Sequence, residues 1–329
     1  MKVGIVGAGG IGQVHVRAWS KVPGIEILIF DRKLERSESI RDRFSAKVAP
    51  SFEEIIERSD AVDICLPTDL HCDSVIEALK HKKPVLCEKP LARNLAEAQK
   101  MLDAAQEFNC ILMPAQVVRF FPEYKKAHDL VKKGIIGDAA VIRLSRGGRM
   151  PSGTDGWFRD HLRSGGVLLD LAIHDFDWIR WTFGEIEHVY SQSVGSKTQN
   201  GIDYGLTLLK LKCGAIAHVE SSWLEPDGFR CRFEIAGSLG LIEHDSRDSA
   251  SLIIKVSNST SFESNFSEQD DPFVREMTVF KDAVENKIEP PITAEDGYHS
   301  LSLSLAAIES AKTGARIIPE HPTKTVSVW

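Results

Sequence analysis

The sequence predicts an α/β protein in two parts: a parallel sheet covered by helices, then a second α/β unit carrying a mainly antiparallel sheet. Three observations predict this. Up to about residue 115, short apolar runs alternate with helix-like segments, the repeat that generates right-handed crossovers and a parallel sheet. These runs are continuously apolar, as strands covered on both faces require. Beyond about Arg119 the strand-like segments alternate apolar and polar residues, which suits an antiparallel sheet with one solvated face. A length of 329 residues accommodates two domains, and the change of pattern divides the chain into residues 1–118 and 119–329.

In the first part, Lys2–Val6, Ile25–Phe30, Ala61–Leu66, Pro84–Cys87 and Cys110–Pro114 read as strands. Gly10–Ser20, Arg32–Arg43, Asp69–Lys80 and Leu95–Phe108 read as the helices between them. In the second part, Pro122–Lys133 reads as a helix, Asp138–Arg146 as a strand and Gly147–Gly156 as a Gly/Pro-rich loop. One long helix is expected over Gly165–Phe183. In Arg230–Ile235, Cys231, Phe233 and Ile235 point one way and Arg230, Arg232 and Glu234 the other. Cys213-Gly214 marks a hairpin turn. The polar stretch Ser257–Asp271 reads as a surface loop, and it contains the sequons at Asn258 and Asn265. Two helices, Pro272–Glu285 and Ala294–Lys312, follow, with Gly314 placed as a C-cap.

Composition narrows the function. With 40 basic and 47 acidic residues the net charge is −7, so no basic surface for nucleic acid is expected. No apolar run approaches the ~20 residues of a membrane span. Because Val3–Val6 already reads as a strand, no signal peptide is expected, and the chain is assigned to the cytoplasm. The six cysteines form no CxxC pair, so no metal site is predicted from them and they are expected to be reduced thiols.

The first chemical motif is Gly7-Ala8-Gly9-Gly10-Ile11-Gly12, a G-x-G-x-x-G that follows a strand and opens a helix. Gly7 allows the tight turn, Gly9 lets the backbone approach a pyrophosphate, and Gly12 lets the helix pack on the strand. The helix start then holds the anion with its free N–H groups. Asp31 ends the second strand 19 residues after Gly12, close to the ~20 expected of a carboxylate that binds the adenosine ribose. It repels a 2′-phosphate and so favours NAD, although Arg32 and Lys33 behind it would tolerate NADP. This is a Rossmann signature. The expected cofactor-lining residues are Gly7, Gly9, Gly10, Ile11, Gly12, Asp31, Arg32, Leu66, Pro67, Thr68, His71, Glu88 and Lys89, with Thr68 otherwise a helix cap, His71 otherwise a packing residue and Lys89 otherwise a surface charge.

Lys89 follows the strand at Cys87, at the edge where open α/β sheets bind ligands. Asp170 and His174 are spaced i, i+4, which on a continuous helix puts them on one face. That spacing suits a helical ion pair, a metal site lacking a clear third ligand, or an acid–base pair in which imidazole removes a proton.

Four motifs in order, Gly7–Gly12 (GAGGIG), Pro67–His71 (PTDLH), Cys87–Ala92 (CEKPLA) and Ser164–Asp177 (SGGVLLDLAIHDFD), make the chain resemble the Gfo/Idh/MocA oxidoreductases over nearly its whole length. The resemblance implies a large open sheet in the second part and a cis Lys89–Pro90 bond. It also implies that Lys89 and His174 face a substrate carbinol, with Asp170 beside them. The expected function is NAD-dependent hydride transfer from a sugar or cyclitol, with an NAD-dependent glycosidase or a non-catalytic NAD sensor as alternatives. In the expected mechanism Asp170 orients His174 or holds a neighbouring hydroxyl. Arg119, Trp157 and Arg159 are the further candidates for the polyol pocket. The chain departs from the family where Leu66 replaces Thr or Ser, where Val167 replaces a third glycine, and at Phe273, where inositol dehydrogenases tend to carry Tyr. The last departure weakens the inositol assignment. A one-sided sheet leaves a face to cover, so a homodimer or homotetramer is expected.

Overall fold

The structure, a computed structural model, describes residues 1–151, 153–195, 203–248, 251–256, 259–263 and 271–323. The sequons at Asn258 and Asn265 lie outside the described residues.

The first part contains β1 (Lys2–Val6), α1 (Gly10–Trp19), β2 (Glu26–Phe30), α2 (Leu34–Phe44), β3 (Lys47–Val48) and α3 (Phe52–Arg58). It continues with β4 (Ala61–Ile64), α4 (His71–Lys80), β5 (Val85–Glu88), α5 (Leu95–Glu107) and β6 (Leu112–Ala115). The strand order is β3-β2-β1-β4-β5-β6, and these pairings are parallel. The chain leaves β1 toward one edge and returns on its other side at β4. The crevice beyond the carboxyl ends of β1 and β4 is therefore the switch point at which such sheets bind ligands.

The second part runs α6 (Pro122–Lys132), β7 (Ala139–Gly147), α7 (His161–Ser164), α8 (Val167–Asp170) and α9 (Ile173–Phe183). Next come β8 (Ile186–Val194), β9 (Tyr204–Leu211), β10 (Ile216–Ser222), β11 (Arg230–Gly237), β12 (Gly240–Asp245), β13 (Leu252–Val256) and β14 (Ser259–Glu263). The chain closes with α10 (Pro272–Asn286) and α11 (Ala294–Thr313). The second sheet is ordered β14-β13-β12-β11-β7-β10-β9-β8 and is antiparallel except where β10 meets β7. Its inner face packs on α6, α9 and α11 through Tyr124, Phe176, Trp178, Phe233 and Leu303. On β11 the alternation is as the sequence predicts, with Cys231, Phe233 and Ile235 buried. Among the described residues no helix covers the opposite face, and Arg143 pairs there with Glu234 across β7 and β11.

The C-terminal helices cross back to the first sheet. Met277, Phe280 and Ala283 of α10 join Trp19 and Ile29 in the core on one face. Tyr298 and Leu301 of α11 join Leu79 and Leu102 on the other. Each face of the parallel sheet is thus buried, the condition its continuous apolar strands reflect.

Two expectations are corrected. The single helix over Gly165–Phe183 is two pieces, α8 and α9, preceded by the separate turn α7. Gly165 and Gly166 have φ of 77° and 69°, a conformation that ends α7 and that side chains rarely adopt. A second interruption falls at Leu171 and Ala172, between Asp170 and His174. The stretch Ser257–Asp271 is also not simply a loop, because Ser259–Glu263 form β14. An edge strand needs only ladder hydrogen bonds to one neighbour, here β13, so polar composition does not exclude it. Gly314 caps α11 in the left-handed region as predicted.

Candidate active site

Every predicted cofactor residue stands at the carboxyl edge of the first sheet. Gly7 has φ of 104°, and a Cβ there would lie 2.5 Å from the Cys65 carbonyl oxygen. A Cβ on Gly12 would lie 2.0 Å from the Gly7 carbonyl oxygen, so only glycine lets α1 start this close to β1. At the exposed Gly10 a Cβ would meet nothing within 4 Å. No side chain caps the start of α1, and its first turn carries no acidic residue. A helix start left bare in this way is suited to an anion.

Asp31 folds back over the turn. Its carboxylate accepts from the Ala8 N–H (2.8 Å) and the Lys33 N–H (2.8 Å), which fixes the carboxylate beside the glycines with lone pairs to spare. Ile11 is half-buried, and Arg32 is exposed just beyond Asp31. These features fit a dinucleotide, with pyrophosphate on the turn and a ribose at Asp31.

The next two strand ends are tied together. His71 is buried, with Nδ1 3.0 Å from the Pro90 carbonyl oxygen and Nε2 2.8 Å from that of Leu66. Its ring is committed to bridging the Leu66-Pro67-Thr68 and Glu88-Lys89-Pro90 turns, so its place is structural. Leu66 and Pro67 are half-buried and Thr68 is buried. Lys89–Pro90 is cis, as the resemblance implies.

Lys89 then reaches the other part of the chain. Its Nζ donates to the Asp170 carbonyl (2.7 Å) and to Asp170 Oδ1 (2.9 Å). The pairing accounts for the break between α8 and α9. The Asp170 carbonyl would accept from the His174 N–H in a continuous helix, but Lys89 takes it, and the His174 N–H turns to Leu171 at 3.4 Å. The Asp203 carboxylate accepts from the Val167 N–H (2.9 Å) and fixes the start of α8.

Asp170 therefore holds Lys89, and the expected Asp170–His174 pairing gives way to it. His174 is partly exposed, but its Nδ1 is buried without a hydrogen-bond partner. Burial first, then the positive charges of Lys89 and Arg146, hold its pKa well below the usual imidazole value. The sequence reading missed Arg146. It is buried against Asp175, with Nη2 2.7 Å from Oδ1, and also donates to the Tyr124 hydroxyl. An arginine among apolar alternating residues of a strand was the available signal.

Arg119 is corrected. It is 3% exposed and donates to Asp177 from Nε (2.7 Å) and Nη2 (2.6 Å) and to Asp296 from Nη1 (3.0 Å). A guanidinium spent on two carboxylates clamps α9 to α11 and has little left for a polyol. Trp157 stacks on Phe158 at 4.1 Å between ring centroids, and Arg159 is exposed on the same turn, Thr154–Arg159. Among the described hydrogen bonds and ion pairs neither touches Lys89, Asp170 or His174.

The expectation that Glu88 lines the cofactor is corrected: its carboxylate is buried and engaged within the fold. Its Oε2 accepts from the Lys89 N–H (2.9 Å), and its Oε1 lies 2.9 Å from Nε2 of the buried His15. His15 Nδ1 meets Asp63 at 2.9 Å, and Trp19 Nε1 donates to Asp63 at 2.8 Å. Burial disfavours charge on His15, but Asp63 outweighs it, and the pKa is raised well above the usual value. An imidazolium held between two carboxylates thus links α1, β4 and the backbone of Lys89. Beside it Glu276 is buried with both carboxylate oxygens unpartnered, and burial pushes its pKa well up.

Comparison with known proteins agrees with this architecture. The sequence model described as the GFO_IDH_MocA oxidoreductase family, NAD-binding Rossmann fold, matches residues 1–116, and the GFO/IDH/MocA C-terminal domain matches residues 124–243. A myo-inositol 2-dehydrogenase of Thermotoga maritima is 30% identical over 94% of this chain and 96% of its own. The crystal structure of a probable dehydrogenase from Thermotoga maritima superposes with a TM-score of 0.84 at 28% identity, covering 97% of this chain and 98% of that one. Levoglucosan dehydrogenase in complex with NADH and levoglucosan shares the fold, with a TM-score of 0.88 at 22% identity over 97% of this chain and 99% of that one. With its glycine turn, Asp31 and the Lys89–Asp170 bridge on one crevice, the chain belongs to the GFO/IDH/MocA family of NAD-dependent oxidoreductases.

Proposed function

We propose that the protein oxidises a secondary carbinol of a sugar or cyclitol, with Lys89 and His174 serving the reacting hydroxyl. The observation that carries this is the double hydrogen bond from Lys89 Nζ to Asp170. An ammonium has three donors. Two are held by Asp170, which leaves one to donate to a substrate oxygen.

Bound NAD supplies the acceptor for the hydride. His174 accepts the hydroxyl proton, since its depressed pKa keeps the imidazole neutral at neutral pH. Lys89 donates its third N–H to the same oxygen and stabilises the alkoxide charge that develops there. Asp170 is a positioning residue that fixes the Lys89 rotamer. Trp157 and Arg159 are assigned to the polyol rim on the resemblance alone. Asp31 favours NAD by repelling a 2′-phosphate. A relative named for myo-inositol and a neighbour binding levoglucosan support a polyhydroxylated ring as substrate.

Two further readings belong to the proposal. The uncovered face of the eight-stranded sheet, where Leu208 and Ile216 are exposed, is assigned to contact with a second copy of the chain, readable as mass by light scattering. The cytoplasm is assigned from six free thiols; no helix among the described residues is long and apolar enough to cross a membrane.

The test is a panel of inositols, anhydrosugars and aldoses with NAD and with NADP, read as reduced nucleotide formed. NADH formation with at least one ring polyol is expected. Sugar release without net NADH would instead mark a hydrolase, and NAD binding without turnover on any member would mark a sensor.

A further inference from the structure

Away from the crevice, three side chains with metal-ligand chemistry meet where the segment after α11 folds back over that helix. Glu185 lies in the turn between α9 and β8, His299 in the second turn of α11, and His321 beyond its end. One ligand atom from each, an imidazole nitrogen from both histidines and a carboxylate oxygen, lie within 4.8 Å of one another. The imidazole rings are 5.3 Å apart at 71°, so they converge edge to face and do not stack.

The surroundings hold these three parts in place. The Ser302 hydroxyl donates to the Glu320 carbonyl at 2.8 Å, one residue before His321. Ile317 pairs with Val189 of β8. Arg180 forms an ion pair with Glu185, Nη2 lying 2.9 Å from Oε1, and donates from Nη1 to Asp296 Oδ1 at 2.8 Å. Glu185 thus offers a carboxylate oxygen beside the two imidazoles, while its pairing with Arg180 is the kind of outer partner that orients metal-bound carboxylates.

We propose that Glu185, His299 and His321 form a site for a divalent transition-metal ion of the zinc type, with a fourth position open to water. Two imidazoles and one carboxylate suit zinc and its borderline neighbours, whereas magnesium and calcium take oxygen ligands. Bond lengths of roughly 2.0–2.1 Å place tetrahedral ligand atoms about 3.4 Å apart, so the three must close by about an ångström or a little more. The exposed His321 has the freedom to supply that movement. Among the described contacts none of the three touches Lys89, Asp170 or His174. The ion therefore ties the C-terminal segment to α11 and to the α9–β8 turn, independently of hydride transfer.

The test uses the full chain without an affinity tag, stripped by chelator and then titrated with zinc chloride. Calorimetry on the wild type is expected to show about one zinc per chain and a rise in the thermal midpoint. Both are expected to vanish in His321→Ala and Glu185→Gln, with affinity weakened about 100-fold or more, since even an outer partner of a ligand is worth roughly 10–100-fold. Dehydrogenase turnover should be unchanged in His321→Ala. Failure of the wild type to bind zinc, equal binding by His321→Ala, or an equal response to magnesium would overturn the proposal.

Discussion

Lys89→Met removes the ammonium while keeping most of the side chain's volume. In the wild type two of its three donors are held by Asp170 at 2.7 and 2.9 Å, so the variant loses the third, the one the proposal assigns to the reacting oxygen. A preorganised donor to a developing oxyanion is worth about 10²–10³ in kcat, or about 2.7–4 kcal/mol. The stability cost should stay under the ~3–5 kcal/mol of a fully buried broken pair, because the two side chains retain 15% and 9% exposure.

The pH profile gives a second readout. The His174 pKa is held down by burial, then by Lys89 and Arg146; as the proposed base His174 works when neutral, so activity is expected to fall as pH drops through that pKa. Without Lys89 the pKa rises and the acid limb of kcat/KM moves to higher pH, each unit representing about 1.4 kcal/mol of removed repulsion. Steady-state NADH formation across pH 5 to 8 measures both effects, and a binding titration should find NAD affinity within a few-fold of wild type. A kcat within tenfold of wild type, or an acid limb that stays in place, would refute the reasoning.

His174→Gln should lower kcat by about 10²–10⁴ with NAD binding retained, measured by the same titration and turnover pair. Arg119→Met leaves the buried Asp177 without its partner, whereas Asp296 keeps Arg180, so a loss of about 3–5 kcal/mol in denaturant unfolding is expected with the polyol KM nearly unchanged; a large KM effect in a stable variant would restore Arg119 to the pocket. Burial pushes the Glu276 pKa well above the usual carboxylate range. The unfolded carboxyl ionises first as pH rises, so the wild type loses stability between the unfolded and folded pKa values. Glu276→Gln should therefore gain stability relative to wild type at neutral pH and much less at pH 4, read as thermal midpoints. Gly12→Ala drives a Cβ to 2.0 Å from the Gly7 carbonyl oxygen; weaker NAD binding and a lower thermal midpoint are expected, and an unchanged dissociation constant would contradict the close approach.

The glycine turn was legible because its requirements are local: a strand, a tight turn and a helix start within a dozen residues. Lys89 was legible through its place at a strand end. The role of Asp170 was not, since i, i+4 spacing assumes the continuous helix that Lys89 itself interrupts. Arg119 was misplaced for the same kind of reason, its partners Asp177 and Asp296 lying 58 and 177 residues away in sequence. The Glu185, His299 and His321 cluster has no sequence spacing to read at all.

By itself the sequence determined the alternation of strands and helices, the dinucleotide turn, the Asp31 acid and the dressed faces of the second sheet. Each follows from hydrophobic periodicity or from a backbone conformation that few residues allow. Only the tertiary structure decided which charged groups pair. An ammonium on one sheet can capture a carbonyl and a carboxylate from a distant helix, and whether it does depends on two separately folded parts meeting at hydrogen-bond distance.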